Sequence, residues 1–521
     1  MNKYILITLL PLLLLTACDD EAYFDGLLLN TTQPPPNFSS NEDLERILNG
    51  AYFALKEGPG IVGIIDAEPA HNVLVSDMVV LKDYAEIIPA LNTREVFNRL
   101  STEDELELIQ AVWISGYTVI QQANTVINFY QNNEPFADRL AGQVDRMVGE
   151  SLFLRAFAHF RLSRVFAPLY SSDPEAPGII LQTAPPIDAQ DINGQSTVRE
   201  VHEQIIADLE RAIEILPAEY DPSIHDPEYQ IRANKDFAKF LLARVYFLMG
   251  SEFWGSASDR YNAGNSTALG CINDLIEAGK YTPTNPVSET FDWFAGTQGE
   301  MPVLKSVETI WSHPFWRNWR QFRQWRVFVP QYEPDRNARF RAFAMNPELV
   351  TAIGWNDTIT AAQDARYREW HITYDVITNP DPEYNEFYEV QSQVWCNKQD
   401  DRFSNTPIFR SPELYLTRAA ILMQSGGDLS QVQADLTVTR DRAGLPPLTN
   451  TPTMTDVEHE WIKEYSFEGG RLLFLQALQM DIGSSNRSGG PIPYDDPSLY
   501  FAIPQREVDL NPNIIDTDDS D

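Results

Sequence analysis

The sequence predicts a mostly α-helical protein, a helical scaffold that carries a long, irregular, loop-rich region. Three features point to it. Apolar residues recur at the helical period through most of residues 41–280 and 408–480. Helix-stopping residues, Pro217 and Gly250, close two of those runs. Between about 281 and 407 the period fades while proline, aromatic and turn residues increase.

The chain opens on Lys3 and an apolar run, YILITLLPLLLL at 4–15, then Leu15-Thr16-Ala17-Cys18. The run is shorter than the about 20 residues a spanning helix needs. A charged start, a short apolar middle and small residues before a cysteine describe a secretory leader and resemble a bacterial lipobox. Residues 1–17 are therefore expected to be a lipoprotein signal peptide, with Cys18 the lipid anchor. Acids follow at Asp19, Asp20, Glu21 and Asp25, and then the Pro-rich NTTQPPPNFSS. Anionic headgroups repel such a stretch, so 18–40 reads as a tether that projects outward. The acidic stretch also resembles the signal that sends some bacterial lipoproteins to the cell surface, and that resemblance implies an outer-membrane location, lipid-anchored and facing the exterior.

Residues 41–521 then form the folded part. Leu44, Ile47, Leu48, Ala51, Tyr52 and Leu55 share one helical face, with Ser40 or Asn41 placed to cap it. Further helices are predicted over 102–131, 138–166, 197–216 and 234–250, and shorter ones near 269–278, 411–425, 428–443 and 456–475. Neighbours such as 197–216 with 234–250 resemble tetratricopeptide helix pairs, which bury their apolar faces by stacking. Residues 58–98, like the insert 281–407, read as loops and short strands on this scaffold. Loops on a rigid scaffold are where binding residues tend to sit.

Composition narrows the function. The chain holds 75 acidic against 39 basic residues, a formal net charge of −36. Acidity of that degree argues against nucleic acid as a partner. Besides Cys18 there are two cysteines, Cys271 and Cys396, whose pairing spacing alone does not decide.

Motifs for chemistry are sparse. Gly58-Pro59-Gly60-Ile61-Val62-Gly63 fits G-x-G-x-x-G, but a helix precedes it where a dinucleotide site needs a strand, so an ordinary turn is expected. Glu458, His459 and Glu460 point in different directions on a helix, which favours surface placement over a metal. Glu460, Glu464 and Glu468 share a face and read as a solvated stripe or partners of Arg471. No phosphate-loop, zinc or calcium spacing occurs, so neither a cofactor nor a metal is expected.

The stretch FWRNWRQFRQWRVF at 315–328 is the most unusual. Aromatics at Trp316, Trp319, Phe322, Trp325 and Phe328 and arginines at Arg317, Arg320, Arg323 and Arg326 both step by three. In a helix such steps advance about 300°, so the aromatics drift around the cylinder and share no one face. Two readings stay open. The arginines stack on the indoles and hold them in the scaffold. Alternatively Trp316, Trp319 and Trp325 form a flat stacking platform for a ligand, assisted by Trp355 or Trp370, with Arg320 and Arg323 bonding the ligand's hydroxyls or a carboxylate.

Several segments together carry a resemblance. LERILNGAYFAL (44–55), VWISGYTVIQQANTVI (112–127) and GESLFLRAFAHFRLSRVFAPLY (149–170) come first. VHEQIIADLERAIEILP (201–217), INDLIEAGKYTPT (272–284), IFRSPELYLTRAAILMQSG (408–426) and TRDRAGLP (439–446) follow, then EWIKEYSFEGGR (460–471) and YFAIPQREVDLNPNI (500–514). In this order they resemble the SusD/RagB family of outer-membrane nutrient-binding lipoproteins. Within the third segment Ser151 and His159 replace the family's usual alanine and aromatic, and after Arg471 the chain departs with LLFLQALQM. The resemblance implies a SusD-like helical scaffold with an irregular ligand-binding region. It implies a protein that is not an enzyme, captures oligosaccharides and delivers them to a SusC-like, TonB-dependent outer-membrane transporter. Cargo of peptide or another non-sugar nutrient, or a lipid-anchored glycoside hydrolase, are the alternatives.

Overall fold

The computed structural model describes residues 38–56, 63–81, 93–100, 106–134, 136, 142–185, 193–220, 231–291, 306–313, 343–377, 390–396, 398 and 406–514. Cys18 and the ladder residues Trp316, Trp319, Arg320, Arg323 and Trp325 lie outside them. The described part is mostly helical, as expected.

Helix α1 (Asn41–Lys56) begins where Ser40 Oγ accepts the Asp43 backbone N–H at 3.3 Å. Its predicted apolar face, including Leu44, Leu48, Ala51 and Leu55, is buried. The next segment differs from expectation. Instead of loops, Ile64–Val75 forms a second helix, α2, with all its residues buried. A helix buried on every side shows no polar stripe, so its sequence lacks the amphipathic signal. Its Asp66 and Glu68 are ion-paired instead, to Lys56 and to Arg161 and Arg164. Because a helix also precedes Gly63, the glycine motif still lacks the strand that a dinucleotide site requires.

A short strand β1 (Val79–Leu81) and helix α3 (Thr93–Phe97) lead to α4 (Glu107–Asn132) and α5 (Gln143–Phe166). Helix α5 is the central pillar, buried from Gly149 to Phe166. It packs between α4 and α6 (Val198–Ile215), and α6 packs on α7 (Lys235–Met249), which packs on α8 (Ala268–Glu277). Thr197 and Glu200 close a capping box on α6. Asn234 caps α7, which stops at Gly250 with φ 117°. These are the pairwise stacks the periodicity predicted.

The middle of the chain holds β2 (Thr309–His313), β3 (Phe343–Met345), the short helices α9 (Pro347–Ala352), α10 (Thr358–Ala361) and α11 (Ala365–Trp370), then β4 (His371–Ile377), β5 (Val390–Cys396) and β6 (Thr406–Arg410). The strands pair antiparallel as β1–β3, β2–β6 and β4–β5. This region is not only laid over the scaffold. Trp311 of β2 enters the helical core, with ring centroids 5.2 Å from Phe153, 5.0 Å from Phe157 and 5.4 Å from Phe409.

Helices α12 (Pro412–Gln424), α13 (Leu429–Arg442), α14 (Met454–Tyr465), α15 (Gly470–Ala477) and α16 (Gln505–Leu510) complete the described elements. The predicted helix 456–475 is in fact two, broken where Phe467 has φ 64° and Gly469 φ 80°. A Cβ on Gly469 would stand 3.0 Å from the Pro69 backbone, so the break lets the chain approach α2 closely. Cys271 and Cys396 are buried and unpaired with each other. Among the described residues no helix is long and apolar enough to cross a membrane.

Candidate functional site

Of the predicted platform residues, only Trp355 and Trp370 are described, and neither indole offers an open face. Trp355 is 3% exposed, packed 4.7 Å from His371 and 5.5 Å from Tyr367 between ring centroids. Trp370 is 2% exposed and donates Nε1–H to the Val287 carbonyl at 3.2 Å. Phe291 meets its ring edge-on at 5.2 Å, and Lys398, Arg442 and Arg410 lie 4.8, 5.3 and 5.9 Å from it. The pair therefore act as packing residues, their faces taken by rings and cations.

Those cations belong to a buried ionic lattice. Arg410 donates to Glu308 (2.7 Å), Glu464 (2.9 Å) and Glu468 (2.7 Å), and Arg442 donates to Glu308 and Glu464. Arg366 bonds Asp364 (2.9 Å) and Glu460 (2.9 Å), Arg440 bonds Glu460 (2.8 Å), and Lys398 bonds Glu468 (2.7 Å). The expected solvated stripe of Glu460, Glu464 and Glu468 is thus an internal one. Glu460 and Glu464 are 1% and 0% exposed, and Glu468 lies beyond the end of α14. Arg471 pairs elsewhere, with Asp77 and Glu458. Burial raises the Glu464 carboxyl, yet Arg442, Arg410 and Arg366 outweigh it and hold the group below the usual carboxylate range.

Beside this lattice lies a small pocket that opens to solvent. Helix α2 supplies Glu68 and Asn72, α5 supplies Arg161 and Arg164, and α7 supplies Arg244. Arg410 of β6, Glu413 of α12 and Glu468 line the other side, with Trp461, Pro69 and Leu473 as apolar wall. Glu68 accepts from Arg161, from Arg164 Nη1 (2.8 Å) and from Asn72 Nδ2 (2.7 Å). Arg244 holds Glu413 by a bidentate fork, Nε to Oε1 at 2.8 Å and Nη2 to Oε2 at 2.6 Å. Its guanidinium also lies 4.9 Å from the Phe409 ring centroid.

Burial raises Glu68, but Arg161 and Arg164 outweigh it and keep the carboxyl below its ordinary range. Burial, and behind it Arg244 and Arg164, push the Arg161 guanidinium down to about 10 against the pull of Glu68. An ionised carboxylate carries no proton to donate, and the guanidiniums around it present N–H groups that can bind polar or charged groups. Among the described residues, no group of three or more His, Cys, Asp or Glu is arranged to hold a metal.

A family model described as "Starch-binding associating with outer membrane", SusD-like, matches residues 43–247. A SusD superfamily protein from Bacteroides thetaiotaomicron superposes with TM-score 0.70 at 19% identity, over 92% of this chain and 99% of that one. Residues 43–247 are SusD-like in sequence, and the chain has the SusD fold. A SusD-like carbohydrate binding protein from Bacteroides vulgatus is similar at TM-score 0.68 and 16% identity, covering 92% of this chain and 98% of its own. Surface glycan-binding protein A from Bacteroides uniformis gives TM-score 0.66 at 19% identity, with 91% and 99% covered. No curated protein matches the chain in sequence. The SusD-like match includes Glu68, Asn72, Arg161, Arg164 and Arg244, whereas Arg410, Glu413 and Glu468 lie beyond it.

Sequence reasoning missed the pocket. The signal that could have found it is charge inside helices without a polar face, as with Glu68 on α2 and Arg161 and Arg164 on α5.

Proposed function

We propose that this chain is a cell-surface glycan-binding lipoprotein. It captures oligosaccharides at the outer membrane and passes them to a SusC-like, TonB-dependent transporter. The observation that carries this reading is the match of 43–247 to a family of starch-binding, outer-membrane-associated proteins, on a fold shared over 92% of the chain. A carbohydrate binding protein and a surface glycan-binding protein among the similar structures support the ligand class. In this reading Cys18 carries the lipid anchor and the mature chain faces outward. Function is binding, without catalysis. The ligand platform is assigned to Trp316, Trp319 and Trp325, with Arg320 and Arg323 supplying donors to hydroxyls.

A glycan array read against a peptide library tests the ligand class, with the melting temperature measured in parallel for alanine variants at 316, 319 and 325. Retention of a defined set of oligosaccharides, uncleaved, is expected. At least one tryptophan variant should lose that binding while its melting temperature barely moves. Binding to peptides alone, or shortening of the oligosaccharides, overturns the reading. Uniform destabilisation of all three variants removes the platform from 315–328 and leaves the glycan assignment standing.

A further inference from the structure

The pocket between α2, α5 and α7 has a charge surplus that nothing described around it offsets. Three guanidiniums, Arg161, Arg164 and Arg244, face two carboxylates, Glu68 and Glu413. Arg410, the fourth arginine of the lining, is already taken by Glu308, Glu464 and Glu468. Buried like charges repel, and burial followed by Arg244 lowers Arg164 as well as Arg161, in both cases against the attraction of Glu68.

The donors are also left over. Among the described residues, Arg164 Nε and Nη2 are enclosed and have no hydrogen-bond partner, an arrangement that costs free energy and is rare in folded proteins. Among those residues Arg161 bonds Glu68 and Arg244 bonds Glu413, which leaves Arg244 Nη1 and Arg161 Nε and Nη2 without an acceptor there. Arg244 keeps 12% of its side chain accessible, which gives the cluster a face toward the cavity. The rest of the lining includes the apolar Trp461, Pro69 and Leu473, which would pack against the body of a ligand whose charged end reaches the arginines.

We propose that this pocket is a second binding site that takes a single oxyanion, a carboxylate or sulfate group, from the end of a small acidic ligand. Guanidinium forks match such groups in shape, and one negative charge balances the cluster. The overall charge of −36 disfavours anions at the general surface, so selectivity would have to come from this enclosed spot. The inference does not depend on the glycan reading, since it concerns different residues and a different chemistry.

The probes are sodium D-glucuronate, sodium sulfate, D-glucose and sodium chloride at matched ionic strength, read by thermal shift and calorimetry on the full chain. A ligand that binds only the native state raises its melting temperature. Glucuronate should raise it by several degrees over chloride, glucose should not, and Arg161→Gln should weaken glucuronate binding at least tenfold. That variant leaves Glu68 paired with Arg164 and removes only the surplus. Should it not fold, the paired variant R244Q/E413Q removes one cation with its own carboxylate, and should weaken binding several-fold. A response to sulfate as well as glucuronate supports a general oxyanion site. Sulfate alone points to free inorganic anions as the source of the oxyanion. No shift beyond chloride in the wild type, or equal shifts in wild type and variant, overturns the proposal. Neutral oligosaccharide binding measured on Arg161→Gln keeps the two readings apart, because it should be unchanged whether or not the pocket takes anions.

Discussion

The lattice around Glu464 and the pocket around Arg161 share Arg410 and Glu468, are equally buried, and use the same residue types. They differ in how their charge closes. In the lattice, Arg366, Arg410 and Arg442 each reach two or more of the carboxylates Asp364, Glu308, Glu460, Glu464 and Glu468, and Lys398, Arg440 and, at 3.9 Å, Lys463 each hold one. In the pocket, Arg161 and Arg164 share one carboxylate, Glu68, Arg244 holds Glu413, and two Arg164 donors remain. Buried cations spread over several carboxylates are held as structure. Cations that share one carboxylate keep donors for a charge from outside, and burial by itself does not tell the two apart.

The largest test of that distinction is Glu464→Gln. Removing this carboxylate leaves Arg442 with Glu308 alone and Arg410 with Glu308 and Glu468, an added positive charge in a buried site, and breaking a buried pair from one side costs about 3–5 kcal/mol. Urea unfolding should show that loss as a lower midpoint at unchanged slope. Because the Glu464 carboxyl is held below its unfolded value, its contribution is present above about pH 4.3 and is lost as pH falls below that. If Arg161→Gln costs as much as Glu464→Gln, the two clusters are one kind of object and the comparison fails.

How much of this was legible in the sequence follows the same divide. Much of the helical half reads well because helices such as α1 and α6 have a dry and a wet side: Leu44, Leu48 and Leu55 mark α1, and Pro217 and Gly250 stop the runs that precede them. Helix α2 was unreadable because every one of its residues is buried, so its polar positions carry no phase. The lattice was unreadable for a different reason. Glu460 and Glu464 look like a solvated stripe because their partners Arg366 and Arg410 stand 94 and 54 positions away, brought in by α11 and β6. The break between α14 and α15 was hidden because Phe467 gives no sign of its left-handed conformation, and Gly469 alone is a weak stop. Trp355 and Trp370, expected to assist a ligand platform, have no local pattern that shows them turning inward.

A middle-sized effect comes from histidines, one in each region. His371 donates Nδ1–H to the Arg366 carbonyl (3.0 Å) and, as a neutral ring, accepts at Nε2 from Ser466 Oγ (2.8 Å), near Lys398, Asp364 and Arg366. His71 lies 3.1 Å from Asn72 Oδ1, near Glu68 and Arg164. Burial pushes His371 down to about 3 and His71 to about 4, so both stay neutral when the unfolded chain takes up protons near pH 6.5. A depressed folded value means stability present above pH 6.5 and lost as pH falls toward the folded value. Each histidine adds a slope of about 1.4 kcal/mol per pH unit below that point. Replacing His371 with Gln should flatten the fall between pH 6 and 5 by about that slope, seen in urea midpoints. An unchanged slope would mean that His371 is protonated or solvated in the fold, and that the lattice beside it is open to water.

The smallest effect is the most diagnostic. Arg161→Gln removes a cation from the pocket, and in an ordinary buried pair that would strand its carboxylate. Here Glu68 keeps Arg164 at 2.8 Å and Asn72 at 2.7 Å, so the acceptor stays satisfied. The variant also relieves the repulsion among Arg161, Arg164 and Arg244, which offsets the lost Arg161–Glu68 bond and the lost contact with Phe157, 4.7 Å from the guanidinium. The net change in stability should therefore lie within about 1 kcal/mol of zero, of either sign, where a stranded ion would cost several. Salt separates the causes. Raising sodium chloride at fixed pH should stabilise the wild type more than Arg161→Gln, because a surplus charge gains from screening and from chloride in the pocket, and a balanced cluster gains little. Parallel salt dependences of the two proteins would show that the cluster carries no surplus, and the difference between pocket and lattice would reduce to shape.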